Sequence, residues 1–378
     1  MGKLKVGLFF GGQSVEHEVS VITALQAYEN LDKSKYEIIP IYVDKSGHFF
    51  TNPKFLDIKN YQDIDGLLLS SAQLVLANKS GHGGFLKQGF FKKFTPIDVA
   101  FPLFHGSFGE DGCIQGVFEI YRIPYVGFNV VGAALGMDKV LQKAIYKELG
   151  LEVGKYVAFK RKEWEQNPRR ILKQVQDDIR FPMFVKPANV GSSIGINPAK
   201  DEDSLSFAIE VAAVYSEKIL VEEAFENCIE VNCSAMGFGG DVQTSVCEMP
   251  VASSKVLSFE DKYKKGGKGS KSAGMASLSR VIPAPVGEKL AKQIQEATVK
   301  IFKAFDGCGV ARIDFFVENK DDTSCRFWVN EINSLPGSLA YYLWEKSGIK
   351  YTELLDKLIN YALQRFEEQK KTQYIFNS

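Results

Sequence analysis

Arg312-Ile-Asp314, followed by Asn330-Glu331-Ile-Asn333, concentrates more chemistry than any other stretch of this sequence. Both segments read as strands, in which residues two apart share a face. Arg312 and Asp314 therefore point together, as do Glu331 and Asn333. If the two strands are neighbours, four polar side chains converge on one face of otherwise apolar ribbons. Two carboxylates and an amide oxygen suit Mg²⁺ bridging the phosphates of a nucleotide, and the guanidinium suits a phosphoryl group in transfer. A solvated strand face carrying an Arg–Asp pair is the plainer account of the same residues.

Further phosphate-directed segments lie upstream. Lys186 closes the apolar run 181–185 and opens Lys186-Pro-Ala-Asn-Val-Gly-Ser-Ser-Ile-Gly195. Small residues there, Ser192 and Ser193 among them, let backbone N–H groups close around phosphate oxygens while the lysine adds a point charge. A flexible turn is the alternative. The basic, glycine-rich stretch 262–272 is a second candidate, able to close as a lid that excludes water. It lacks the Gly-Lys-Ser/Thr order of a Walker A loop. In Gly11-Gly-Gln-Ser-Val-Glu-His-Glu-Val-Ser20, Ser14 is placed to cap a helix with Glu16 and His17 in its first turn. Residues 105–116 combine loop glycines with the acid pair Glu110-Asp111.

These residues need elements to hold them. Strands are expected at 4–10, 36–43 and 99–104, with a helix at 16–31, an order that favours a mostly parallel sheet covered by helices. Ligands of such sheets gather at the carboxyl ends of the strands, where Gly11-Gly12 and His105-Gly106 fall. A short apolar element at 130–135 and a helix at 139–149 ending on Gly150 follow. Smaller α+β pieces come next: strands at 156–159, 183–186 and 219–222 and a helix at 204–215. The last region holds strands at 231–236, 244–248, 310–317 and 327–332, a helix through Leu290, Ile294, Ile301 and Phe305, and a final amphipathic helix through Leu354, Leu358 and Phe366.

Composition sets the bounds. The chain has 378 residues, enough for two or three domains, and its 46 Lys and Arg balance 46 Asp and Glu. That balance gives no reason to expect nucleic acid or an acidic membrane surface as partner. No apolar stretch is long enough to span a bilayer, and the N-terminus lacks the pattern of a secretory signal. Six cysteines without a Cys-x-x-Cys pair read as reduced thiols of a cytoplasmic enzyme, and four dispersed histidines exclude a zinc site built from them. The sequon Asn232-Cys-Ser234 reads as a chance match.

Taken in order, the motifs resemble those of the D-alanine–D-alanine ligases of the ATP-grasp superfamily over nearly the whole chain. The matching stretches are Gly11 to Ser20, His105 to Gly116, Met137-Asp-Lys139, Lys186 to Gly195, Val221-Glu-Glu, Glu230, Lys262-Tyr263, Arg312-Ile-Asp314 and Asn330 to Gly337. The resemblance implies a fold of mixed α/β and α+β character. An N-terminal parallel-sheet, Rossmann-like domain (1–128) precedes a two-lobed ATP-grasp fold, its small central lobe at 129–222 and its large lobe with the metal site at 223–378. It also implies roles. Glu16, with Ser192 and Tyr263, would hold the ammonium of the first D-alanine. Lys139 and Lys186 would grip ATP phosphates, Glu223 and Phe225 would lie at the adenine and Glu230 at the ribose, with Ser193, Glu222 and Lys262 completing the nucleotide set. Asp314, Glu331 and Asn333 would bind two Mg²⁺ ions, with Mn²⁺ able to replace them. Arg312 and the Gly337 N–H would stabilise oxyanion charge. One departure stands out: Tyr342 occupies the place of a serine that helps bind the second substrate's carboxylate.

The implied reaction joins two D-alanines through a D-alanyl phosphate, supplying a dipeptide for peptidoglycan precursors, in a cytoplasmic homodimer that needs neither nucleic acid nor membrane. A D-alanine–D-serine or D-alanine–D-lactate ligase would share the activation step. Lys262-Tyr263 favours an amino acid acceptor. A non-catalytic nucleotide-binding protein would be expected to lose metal ligands, and none is lost.

Overall fold

The computed structural model describes residues 2–89, 93–251, 279–318 and 326–374. The N-terminal sheet is built on β1 (Leu4–Gly11), which lies between β2 (Tyr36–Val43) and β7 (Val99–Pro102) and pairs in parallel with both. Its alternating residues divide between two cores, as a period of two requires. Val6, Leu8 and Phe10 enter one cluster and Phe9 the other. Between β1 and β2 runs α1 (His17–Asn30). The expected cap is displaced: α1 starts one residue after Glu16, and Ser14 Oγ instead accepts from the Glu16 N–H, capping the turn before the helix.

Residues 49–96, on which the sequence analysis placed no element, extend this sheet. β3 (Phe49–Thr51), β4 (Ala72–Lys79), β5 (His82–Lys87) and β6 (Phe94–Pro96) add to it beyond β2 as antiparallel neighbours, with α2 (Ile64–Leu69) inserted, so that the seven-stranded sheet is parallel at the β2-β1-β7 end and antiparallel at the other. After β7, α3 (Cys113–Tyr121) covers one face. Asn129 then caps α4 (Val130–Met137), and Asp138 caps α5 (Lys139–Glu148) by accepting from the N–H groups of Val140 and Leu141. That cap fixes Lys139 at the first helical position.

The central lobe is a four-stranded antiparallel sheet of β8 (Tyr156–Lys160), β9 (Met183–Pro187), β10 (Asn197–Ala199) and β11 (Lys218–Glu223). α6 (Arg161–Gln166), α7 (Pro168–Asp178) and α8 (Glu202–Tyr215) surround it, and it has a core of its own, with Ile171, Val175, Val185, Ile209 and Val221 fully buried.

The last sheet orders β13 (Asp241–Thr244), β12 (Ile229–Phe238), β16 (Gly309–Val317) and β17 (Phe327–Asn333), all antiparallel. The strand expected at 244–248 is instead broken. β13 stops at Thr244, where the Ser245 hydroxyl takes over ladder bonding by accepting from the Ser234 N–H and donating to Val246 O. The chain rejoins β12 at Glu248 and continues as β14 (Met249–Pro250), paired with β15 (Arg280–Val281). α9 (Glu288–Ala304) packs on this sheet, followed in sequence after β17 by α10 (Tyr341–Lys346) and α11 (Tyr351–Gln369). Leu354, Leu358 and Ile359 of α11 bury into the cluster that holds Val6, Leu8 and Phe101 of the N-terminal sheet. Among the described residues, no helix is long and apolar enough to cross a membrane. Five cysteines are free thiols; Cys325 lies outside the described residues.

Candidate active site

The antiparallel register of the last sheet puts Asn232 opposite Asp314 and Asp314 opposite Glu331, while Glu248 bridges Asn232 from the other side through a pair of 2.9 Å hydrogen bonds. Directly opposed residues share a face, so Glu248, Asn232, Asp314 and Glu331 form one polar row across the sheet. Arg312, opposite Ser234 and Asn333, stands beside it. A register slip between Asp314 and Phe315 ends the regular pairing immediately beyond. Arg312 donates through Nε and NH2 to both Asp314 oxygens at 2.7 Å, and Asn333 Nδ2 donates to Asp314 Oδ2 at 3.0 Å.

Charge is unevenly distributed along this face. Burial lifts the Asp314 carboxyl to about 7 against the pull of Arg312, and the carboxylates Glu230 and Glu331 add to the rise. Burial also raises Glu230. Burial would raise Glu331 too, but Lys139 and Lys186 outweigh it and hold it low. Crowded oxygen donors that disfavour one another's ionisation make a good seat for a hard cation. Among the described residues, no three His, Cys, Asp or Glu side chains come together as a metal group. A metal here would rest on Asp314, Glu331 and the Asn333 amide, and these oxygen donors fit Mg²⁺.

Next to this face, three lysines meet two carboxylates. Lys186, at the end of β9, pairs with one Glu222 oxygen and reaches Asn330 Oδ1 at 3.4 Å. Lys143 is 3.0 Å from the other Glu222 oxygen. Lys139 is 3.3 Å from Glu331 and donates to the Val190 carbonyl at 2.9 Å. Burial alone would raise Glu222, yet Lys143 and Lys186 override it and hold the carboxyl at about 2. The surplus of ammonium groups suits a polyanion. Lys143 was missed from sequence; its only signal is its position one helical turn after Lys139.

Glu223 Oε1 accepts from the Lys155 N–H at 2.8 Å. The Phe225 ring lies 4.9 Å from Phe316 and 4.8 Å from Trp328. Glu223, Phe225 and Trp328 help line a cavity of about 530 Å³. Ser193 is exposed on the loop after β9, and Glu230 stands on β12 two residues before Asn232.

The same loop reaches the N-terminal sheet. Ser192 Oγ donates to the buried carboxylate of Glu16, joining residues 176 apart in sequence. Gly106, at φ +78°, lies so close that a Cβ there would fall 2.4 Å from Ser14 Oγ and 2.7 Å from Glu16 Oε2, so only glycine fits. Its N–H donates to Glu110 Oε2 at 2.7 Å. Burial, with Glu16 nearby, pushes Glu110 up to about 8. Burial lowers His105 to about 4, and its Nε2 lies 3.0 Å from Thr23 Oγ1.

At the opposite end, Gly337 opens a short turn in which Ser338, Leu339 and Ala340 all adopt left-handed backbone, with φ of 53°, 55° and 50°. Tyr342 follows, and its hydroxyl donates to Glu248 Oε1 at 3.1 Å. Arg280 lies over the Tyr342 ring, 3.7 Å from its centroid, and donates through NH1 to Glu248 Oε2 at 2.8 Å. Neither Glu248 nor Arg280 stood out in the sequence, and Asn232 registered only as a sequon. Lys262, Tyr263 and the lid expected at 262–272 lie outside the described residues.

The family models for the D-ala D-ala ligase N-terminus and C-terminus match residues 5–128 and 145–360. A D-alanine--D-alanine ligase of Chloroherpeton thalassium is 38% identical over 98% of this chain and 99% of its own. One from Bacillus cytotoxicus is 36% identical, covering 99% of both. Among solved structures, the D-alanine-D-alanine ligase from Coxiella burnetii superposes with a TM-score of 0.81 at 28% identity, over 98% of this chain and 97% of the other. The VanG D-Ala:D-Ser ligase from Enterococcus faecalis does so with 0.79 at 30%, over 96% of this chain and 100% of the other. The motifs, the lobed architecture and these full-length similarities agree: the chain belongs to the D-alanine–D-alanine ligase family, within the ATP-grasp fold.

Proposed function

We propose that this protein joins two D-alanines at the expense of ATP, through a D-alanyl phosphate, to make the dipeptide used in peptidoglycan precursors. The carrying observation is the polar row itself. Glu331 and Asp314 mark its phosphate end, Glu248 its far end, and Arg312 stands beside it. A carboxylate oxygen of the first D-alanine, whose ammonium rests on Glu16 and Ser192, attacks the γ-phosphorus as the bond to ADP breaks. Lys139 and Lys186 grip the phosphates, and Ser193 and Lys262 extend that grip. Glu222 keeps Lys186 in place, while Glu223 and the Phe225 backbone receive the adenine and Glu230 the ribose. The amine of the second substrate then attacks the acyl carbonyl and loses a proton. Arg312 and the Gly337 N–H bind the oxyanion until phosphate leaves. Tyr263 joins Glu16 and Ser192 at the donor.

Two Mg²⁺ ions, replaceable by Mn²⁺, would be held by Asp314, Glu331 and Asn333, and would neutralise charge on the phosphates when bound. The reading extends to domains at 1–128, 129–222 and 223–378, a homodimer and a cytoplasmic location. Incubation with ATP, Mg²⁺ and single D- or L-amino acids, followed by product masses, tests it; D-Ala-D-Ala with ADP is the expected product. Glu331→Gln is expected to cut turnover at least about a hundredfold. Full ATP-dependent ligation in that variant would remove the metal assignment. A D-serine acceptor is favoured as second reading by the likeness to the VanG D-Ala:D-Ser ligase, and competition between D-alanine, D-serine and D-lactate separates the three products.

A further inference from the structure

Resting on that ligase reading, we infer that Arg280 is the group that recognises the carboxylate of the acceptor amino acid, with Glu248 and Tyr342 as its mount. Three observations place it. First, Glu248 ends the polar row whose other members face the phosphate side. Neighbouring strands are about 4.8 Å apart, so Glu248 sits two strand spacings, about 10 Å, from Asp314. That span leaves room for the transferring phosphoryl group and a small amino acid, end to end past Arg312. Second, each arginine is anchored to one end of the row: Arg312 spans both oxygens of Asp314 and Arg280 donates to Glu248, so the charge at the Glu248 end is that of Arg280. Arg280 is also the guanidinium that lies over the Tyr342 ring. Third, Arg280 is held as a receptor is held. Its Cζ lies 3.7 Å from the centroid of the Tyr342 ring, and NH1 donates to the carboxylate of the buried Glu248. Stacking and a fixed edge pre-organise the fork, so little rotamer freedom remains to be lost when an anion arrives.

The mount also explains the tyrosine. Glu248 accepts from Tyr342 through one oxygen and from Arg280 through the other, so the ring cannot swing without releasing the carboxylate. β14 and β15 bring the two charged residues together: Pro250 pairs with Arg280, two residues beyond Glu248. Tyr342 is thus a positioning residue, and the contact to substrate is made by Arg280. The ligand class follows. The acceptor carries a free α-carboxylate and a small side chain, because the ring fills space that a small residue would leave.

The experiment compares D-alanine with D-alaninamide, an acceptor of the same size without the negative charge. The donor half-reaction is followed separately, by trapping the acyl phosphate with hydroxylamine. In Arg280→Gln the hydroxamate is expected within about twofold of wild type, while the acceptor KM for D-alanine rises about 30- to 100-fold, the size of a lost charge-assisted hydrogen bond. The preference for D-alanine over D-alaninamide should fall by a similar factor. A purely structural role would slow both acceptors equally and leave their ratio intact, and an unchanged ratio overturns the inference. If the single variant fails to fold because Glu248 is left with an unmatched charge, Arg280→Gln combined with Glu248→Gln removes both, and the same loss of preference is required of it. Absence of hydroxamate from the wild-type protein overturns the ligase reading instead, and this inference falls with it.

Discussion

Glu222 shows at the residue scale how this site holds its charges ready. Its carboxylate lies between two ammonium groups and is buried, and the lysines keep it ionised down to about pH 2. An acid whose folded pKa lies below its unfolded value stabilises the fold above the unfolded pKa, near 4.5, and that contribution disappears as pH falls from there towards 2. The thermal stability of the free protein is therefore expected to fall as pH drops from about 4.5 towards 2, and Glu222→Gln should flatten that slope while lowering the melting temperature at neutral pH. Equal slopes in both proteins would show that the lysines do not depend on this carboxylate. Residues of this kind were only partly legible. Glu16, Lys186, Arg312, Asp314 and Glu331 announce themselves through spacing on a strand or beside glycines. Lys143, Glu248 and Arg280 do not, because they become neighbours only through strand register or helix packing, and no local pattern encodes either.

The turn from Gly337 to Ala340 belongs to the scale of elements. Three successive non-glycine residues in left-handed backbone each carry about 1–2 kcal/mol of strain. Such a turn persists only where its surroundings over-determine it. Here the Leu339 N–H donates to Pro336 O at 2.8 Å, Leu339 and Ala340 are fully buried, and Tyr342 is pinned to Glu248. The strained turn follows directly on Gly337, whose N–H is the oxyanion donor proposed above. Ser338→Gly should release part of the strain, so the melting temperature is expected to rise or hold. Single-turnover ligation should slow by several-fold as the turn gains freedom. A slower rate with a lower melting temperature would show that the serine itself was needed. Elements with strong periodicity, β1, α5, β9, α9 and α11, were readable from sequence. The strands over 49–96 were not: β3 and β6 have only three residues each, all part-buried, and β4 and β5 bury few side chains and carry polar or glycine residues at many positions, so their pattern is weak. The expected strand at 244–248 misled because Ser245 bonds with its side chain where a ladder would use backbone.

For the whole molecule, the cores reveal which parts move together. The N-terminal sheet and α11 share one cluster, and Arg365 of α11 also donates to Tyr125 O at 2.7 Å and lies over the Tyr125 ring. The central lobe keeps a separate core. Leu358→Ala is expected to cost about 2–5 kcal/mol and to lower amide protection in the N-terminal sheet and the last sheet at once. Val175→Ala, in the separate core, should loosen the central lobe alone, as hydrogen exchange would show. Protection lost everywhere in both variants would mean one cooperative unit. The shared core also has a consequence for how the chain is made. One face of the first sheet is completed by Leu354, Leu358 and Ile359, which leave the ribosome more than two hundred residues after β7. Until then Val6, Leu8 and Phe101 are covered only in part, by Val21, Ala24 and Leu25 of α1, so nascent chains halted before Tyr351 should be the ones that bind chaperones and aggregate.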